Sequence, residues 1–294
     1  VDLLSALVMD AASQDLTITQ GTFDLSGQNL TVSGSGGTFV VEDGGNLQLQ
    51  GGETLSRILN LKGGSTVTYD GTGSYSRLAA TSTYQNLAFT GSGSWATSTP
   101  LTVNENFTQT AGTFTPSATT TFASASSSII TASAGTAFSN IKVNKTATST
   151  FLGSNLAPTG NLDLAAGTLD ATASSCSAAS CNITLAGNWI KTGGTFTPQT
   201  GTVTLNGTNQ TITGSNTFYN WVKTVASAAT LTFGAGDTQT IGGTWTAQGA
   251  AGNLLSLRST VTDSQWLIDP QGTRTIAYLD VKDSNNTNWT AVNA

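Results

Sequence analysis

Histidine is absent from this 294-residue chain, and charge, cysteine, methionine and proline are all scarce. Without histidine, Ser-His-Asp and Cys-His nucleophilic catalysis are excluded. Two cysteines alone cannot supply the roughly four ligands of a zinc site. Charged residues make up 9% of the chain, against roughly 25% in an ordinary soluble domain. Ten basic residues are scattered singly, and the net charge is −6. No Lys/Arg cluster could neutralise a phosphate backbone or an anionic membrane surface, so nucleic acid is not an expected partner. The apolar stretch "LLSALVM" near the start is too short to cross a bilayer and lacks a positive flank, so no membrane insertion and no intact signal peptide are expected. Val rather than Met at position 1 reads as a processed product or a piece of a longer chain.

Acidic residues are also thin. Between Asp70 and Asp163 only Glu105 is acidic, which does not suit the paired carboxylates of polysaccharide-cleaving enzymes. Glu42 and Asp43 in "VVEDGGN" read as a turn. Asp280, Asp283 and Asn285 read as a solvated turn rather than a calcium loop, because no Asp-x-Asp-x-Asp-Gly pattern surrounds them. There is no Gly-x-Ser-x-Gly elbow. The expectation is therefore a non-enzyme with no cofactor and no metal.

What remains is rhythm. Hydrophobic residues reach 37% and glycines number 33, while Thr, Ser, Asn and Gln supply solubility without charge. "DLTITQ", "NLTVSG", "STVTYD", "GTVTLNG" and "TLTFG" place apolar residues at every second position, the signature of strands with one buried face. No stretch after residue 12 keeps a helical period, so the fold is expected to be all-β. Asn-Gly and Asp-Gly dipeptides are too few to join so many strands as hairpins. Stacked coils are favoured instead: a parallel β-helix or β-solenoid, with roughly fourteen coils at about twenty residues each. A short apolar N-terminal segment would cap or link it.

The rhythm repeats at longer range. "NFTQTAGTFTP" from Asn106 returns as "NWIKTGGTFTP" from Asn188, and "IIT" from Ile129 matches "TIT" from Thr211, both 82 residues on. Tyr84-Gln-Asn86-Leu87, Phe138-Ser-Asn140-Ile141 and Phe218-Tyr-Asn220-Trp221 share an aromatic-x-Asn-apolar pattern, as aromatic and Asn ladders between coils would require. These features divide the chain into residues 1–12 (cap or linker), 13–105 (first solenoid portion), 106–187 (repeat one) and 188–294 (repeat two with the closing coils). One continuous solenoid and two β domains both fit the repeat.

"GNWIKTGGTFTPQTGTVTLNGTNQTITGSNTFYNW" and "SQWLIDPQGTRTIAYLDVKDSNN" resemble repeat regions of large secreted bacterial surface proteins. Those are similar to the right-handed parallel β-helix stalks of filamentous-haemagglutinin-like and autotransporter adhesins. The resemblance spans about residues 84–290 and transfers no binding motif. It implies an extracellular or cell-surface structural protein, with glycans as alternative partners.

Four further expectations concern particular residues. Cys176 and Cys181 in "SSCSAASC" form a local disulfide, or else are two unrelated small buried residues. The six tryptophans, Trp95, Trp189, Trp221, Trp245, Trp266 and Trp289, pack in the core rather than form a sugar-stacking platform. The Thr-x-Thr strands (Thr17/Thr19, Thr66/Thr68, Thr202/Thr204, Thr211/Thr213) read as an ordinary outward face before an ice-binding one. Both ends look adhesive, so Leu3, Leu4, Leu7, Val8, Trp289 and Val292 are the candidate contacts of a head-to-tail homopolymer. The competing reading makes residues 1–12 a short helix capping the first coil.

Overall fold

The strand Gly45–Leu49 shows how the chain is organised. Leu47 and Leu49 are fully buried, while Asn46 and Gln48 between them reach the surface. The next strand along that face, Thr66–Tyr69, lays Val67 directly on Leu47, and Asn86–Phe89 lays Leu87 on Val67. Parallel in-register pairing of this kind continues through the chain, so the computed structural model is an all-β solenoid of about twelve turns. It describes residues 1–32, 35–172, 176 and 180–288, and among these no helix forms.

Turns number about twelve rather than fourteen because coil length varies. Twenty residues separate Val67 from Leu87, whereas 29 separate the stacked pair Trp245 and Arg274. Corner segments of different length, such as Thr260–Gln265 between two strands, absorb the difference without disturbing the ladders.

The chain divides into two compact units, Val1–Ser139 and Asn140–Ala294. The main face of the first unit stacks Gly21–Asp24, Gly45–Leu49, Thr66–Tyr69, Asn86–Phe89 and Phe107–Gln109. Shorter ladders such as Ser74–Tyr75, Ser94–Thr97 and Thr113–Pro116 close its other sides. Among its described residues the second unit has three ladders. One runs through Leu162–Asp170, Trp189–Lys191, Gln210–Thr213, Ala229–Phe233, Leu255–Ser259 and Leu279–Val281. A second joins Ile183–Leu185 to Thr273–Ala277, and a third joins Asn216–Phe218 to Ser284–Asn286.

The amino-terminal segment is not a helix. Leu7–Met9 is a strand paired with Leu30–Val32, and the amino group of Val1 donates to the Thr22 carbonyl at 2.8 Å. Residues 1–9 thus lie on the first full coil as part of the stack.

Inside, large rings fill the coils. In the first unit Phe89 contacts Tyr69, Trp95 and Phe114, with centroids 5.4, 5.2 and 4.5 Å away. In the second, Trp221 stacks on Trp245 at 6.0 Å and Phe233 on Trp266 at 4.0 Å. Such pairs contribute about 0.5–1.5 kcal/mol beyond their burial.

Asparagines tie coil to coil at the corners. Asn140 Oδ1 accepts the Asn161 N–H, Asn161 Oδ1 accepts the Asn188 N–H, and Asn188 Oδ1 accepts the Thr211 N–H, all at 2.7–2.8 Å. In the first unit Asn86 Oδ1 serves Asn106, and Asn106 Oδ1 serves Ile129. The 82-residue repeat has a physical meaning here: Asn106 to Ile129 and Asn188 to Thr211 are the same bond made in each unit.

Removing one rung should orphan a backbone donor. Asn188→Ala is expected to lower stability by about 1–3 kcal/mol in denaturant unfolding, because the Thr211 N–H loses its acceptor. Asn206→Ala, on an exposed turn, should stay within about 0.5 kcal/mol of the parent.

Candidate functional site

Distinctive surfaces lie on the first coil of the first unit and on the last described coil of the second. At the amino-terminal coil, Leu3 and Leu7 are half-buried against the coil beneath, whereas Leu4 is 94% and Val8 58% exposed. Alternation explains the split: on the strand Leu7–Met9, Leu7 and Met9 point toward the interior and Val8 toward the outer surface. A hollow of about 180 Å³ opens beside it, lined by Val1, Leu16, Ile18 and Phe23. Of the sequence candidates for contact, Leu4 and Val8 are therefore the outward pair, and Leu3 and Leu7 support them.

In the second unit, Leu279–Val281 pairs with Leu255–Ser259. A cavity of about 280 Å³ opens there between Trp245, Leu257, Trp266, Ile268, Leu279 and Val281. Among the described residues the last core layer thus ends in a largely apolar mouth, with Ser284 and Asn286 also lining it and Val281 44% exposed. Trp289 and Val292 lie outside the described residues.

The other sequence candidates resolve individually. Cys176 and Cys181 are joined by a disulfide, with Cα atoms 5.1 Å apart, beside the local Thr172–Ser180 bridge. Trp95, Trp189, Trp221, Trp245 and Trp266 are all at most 2% exposed, so these five rings are core. Trp95 Nε1 donates to the Gln50 carbonyl and Trp189 Nε1 to Asn216 Oδ1, each at 2.9 Å. Glu42 and Asp43 form the tight turn in which the Gly45 N–H donates to the Glu42 carbonyl. Asp280 is held by Arg258, and Asp283 sits in a turn at φ 57°. Among the described residues no three His, Cys, Asp or Glu side chains gather as a metal site would need.

Three polar clusters emerge from the structure, one half-buried and two in the core. Gln48 Nε2 bridges Asp24 at 3.0 Å and Asp70 at 2.8 Å. Burial, and next the charge of Asp24, push the Asp70 carboxyl above its ordinary value. The Tyr69 and Tyr84 hydroxyls meet at 3.1 Å in the core, and burial pushes Tyr69 up to about 12. Most unusual is Lys223, which is fully buried. Its Nζ donates to Gln210 Oε1 at 2.7 Å, to the Thr208 carbonyl at 3.2 Å, and to the Gly207 carbonyl. Gln210 is fixed in turn by donating to the Leu185 carbonyl at 2.9 Å and to that of Gly187. The sequence does signal this lysine, which shares the inward parity of Trp221 in Asn220–Thr224. No carboxylate is among its hydrogen-bond partners, and burial lowers its ammonium to about 8.

No protein-family model, curated protein or solved structure matches the chain.

Because folding lowers the Lys223 pKa, the unfolded chain holds that proton more tightly between about pH 8 and the free-lysine value of about 10.4. The penalty for burying the charge is complete below pH 8 and is relieved as pH rises through that window. Lys223→Met should remove that pH-dependent penalty, while adding a pH-independent cost because the Gly207 and Thr208 carbonyls lose their donor. The stability of the variant relative to the parent, read as unfolding temperature, should therefore decline as pH rises from 8 toward 10.5. A difference independent of pH would show that folding leaves the Lys223 pKa unshifted.

Proposed function

We propose that this chain is a non-catalytic structural subunit of an extracellular bacterial fibre or surface layer, assembled end to end. The carrying observation is a pair of edge coils: apolar Leu4 and Val8 are exposed on the first coil of the first unit, and the mouth rimmed by Val281 opens at the last described coil of the second. An edge strand offers a row of backbone donors and acceptors as a template for another strand. Joining the last coil of one copy to the first coil of the next extends the ladders already inside each molecule. Such a heterologous contact does not close and generates a filament. The sparse, dispersed charge and the resemblance to bacterial surface repeats support an extracellular setting.

The alternative is a stalk segment of a larger adhesin that binds glycans. Its supporting observation is the exposure of Tyr219 and Tyr278, 38% and 53%, since the five described tryptophans are not available to stack on sugars.

Electron microscopy of the purified chain at neutral pH tests the filament reading. Regular fibres are expected from the parent, and single particles from a chain lacking residues 1–12 or carrying Val281→Lys, which sets a charge on the mating edge. Single particles from the parent across concentration would sink the proposal and send the chain to glycan-binding screens.

A further inference from the structure

The second ladder of the Asn140–Ala294 unit carries an outward pattern that assembly does not use. Its strands Ile183–Leu185, Thr202–Leu205, Asn220–Thr224, Thr244–Gln248 and Thr273–Ala277 pair in that order. Their registers align Thr184, Thr204, Val222, Thr246 and Thr275 in one outward rank. A second rank, two residues earlier on each strand, holds Thr202, Asn220, Thr244 and Thr273. Parallel pairing sets neighbours within a rank about 4.8 Å apart, and the two ranks about 6.6 Å apart. Every member is at least partly exposed, and neither rank contains a charged side chain. The Thr244 and Thr273 hydroxyls lie 2.9 Å from each other, so hydroxyls of adjacent coils share one side of the grid. Behind the face, Val203, Trp221 and Trp245 are at most 2% exposed and fix the strands from within.

We propose that this threonine face binds crystalline water, the surface of ice. Liquid water competes for any single hydroxyl, so a lone threonine gains nothing by contacting ice. An array gains when its hydroxyls and methyl groups repeat with the lattice, and the oxygen repeats of the ice prism face lie close to both spacings of this grid. Charge complementarity points the same way. Ice is an uncharged lattice, and a face without ions carries no tightly held hydration shell to strip. Side chains already locked into ranks also lose little freedom on adsorption, which is the usual cost of binding through many weak contacts.

Growing ice slowly in a dilute solution of fluorescently labelled full-length chain gives the test. The parent is expected in the ice at least about tenfold above a labelled non-binding protein, a difference of about 1.4 kcal/mol, and crystals should show flat facets. Thr246→Lys, at the centre of the face, should lose both effects while unfolding at the parent temperature. Thr240→Lys, on the neighbouring Asn216–Phe218 to Ser284–Asn286 ladder, should keep them. Exclusion of the parent from ice overturns the proposal, as does an unaffected Thr246→Lys or an equal loss in Thr240→Lys. Adsorption to microcrystalline cellulose with exclusion from ice would also overturn it, in favour of a crystalline glycan.

Discussion

In-register parallel stacking is the constraint on which the rest of this structure depends. Each side chain has a neighbour at the same position one coil away, about 4.8 Å along the stack. Charge repeated at that spacing would repel along the whole rank, whereas a hydroxyl or amide can bond to its copy. The low charge of the chain follows from this. Opposite charges on neighbouring coils do pair, as in Lys142 and Asp163 at 2.8 Å, or Arg258 with Asp280. Where two carboxylates come close, as Asp24 and Asp70 do, Gln48 stands between them and donates to both.

The same constraint shapes the interior. Flat rings stack well on rings, which places Trp221 over Trp245 and Phe89 beside Phe114. Corners are harder, because turning the chain leaves backbone groups without ladder partners. Buried amides meet that need. Gln109 donates to the Ala111 and Gly112 carbonyls, and Asn216 links Trp189, Gly214 and Gln239. Lys223 serves the same end with a charge, covering the Gly207 and Thr208 carbonyls of one turn. Its burial is a concession to local geometry that an ordinary core residue would not require.

Much of the fold was legible before any coordinates. Alternation in "GNLQL" and "TVTL" located strands, and the scarcity of hairpin dipeptides favoured stacked coils over a sandwich. The Asn106/Asn188 equivalence marked a rung that the structure makes in both units. Coil number was misjudged because corner length leaves no periodic trace. The amino-terminal "LLSALVM" could be helix or strand on composition, and its pairing with Leu30–Val32 depends on a neighbour 23 residues away. The Lys223 cage was missed because its acceptors are mostly backbone carbonyls, which any residue can supply. Of the threonine face, only Thr202/Thr204 stood out as a Thr-x-Thr pair, and the alignment across five strands depends on register, which variable coils hide.

Register is also where the account is most exposed, since a slip by one residue would turn every inward side chain outward. The most direct test is oxidative cross-linking of paired cysteines on adjacent coils of the second unit. Val222 and Thr246 are register partners facing outward, about 4.8 Å apart, which is within disulfide reach. Val222→Cys/Thr246→Cys should therefore cross-link rapidly and completely. Val222→Cys/Ala247→Cys, with its second thiol in the core, should stay reduced. The opposite pattern would contradict the stacking from which the ladders, the neutral surface and the proposed functions all follow.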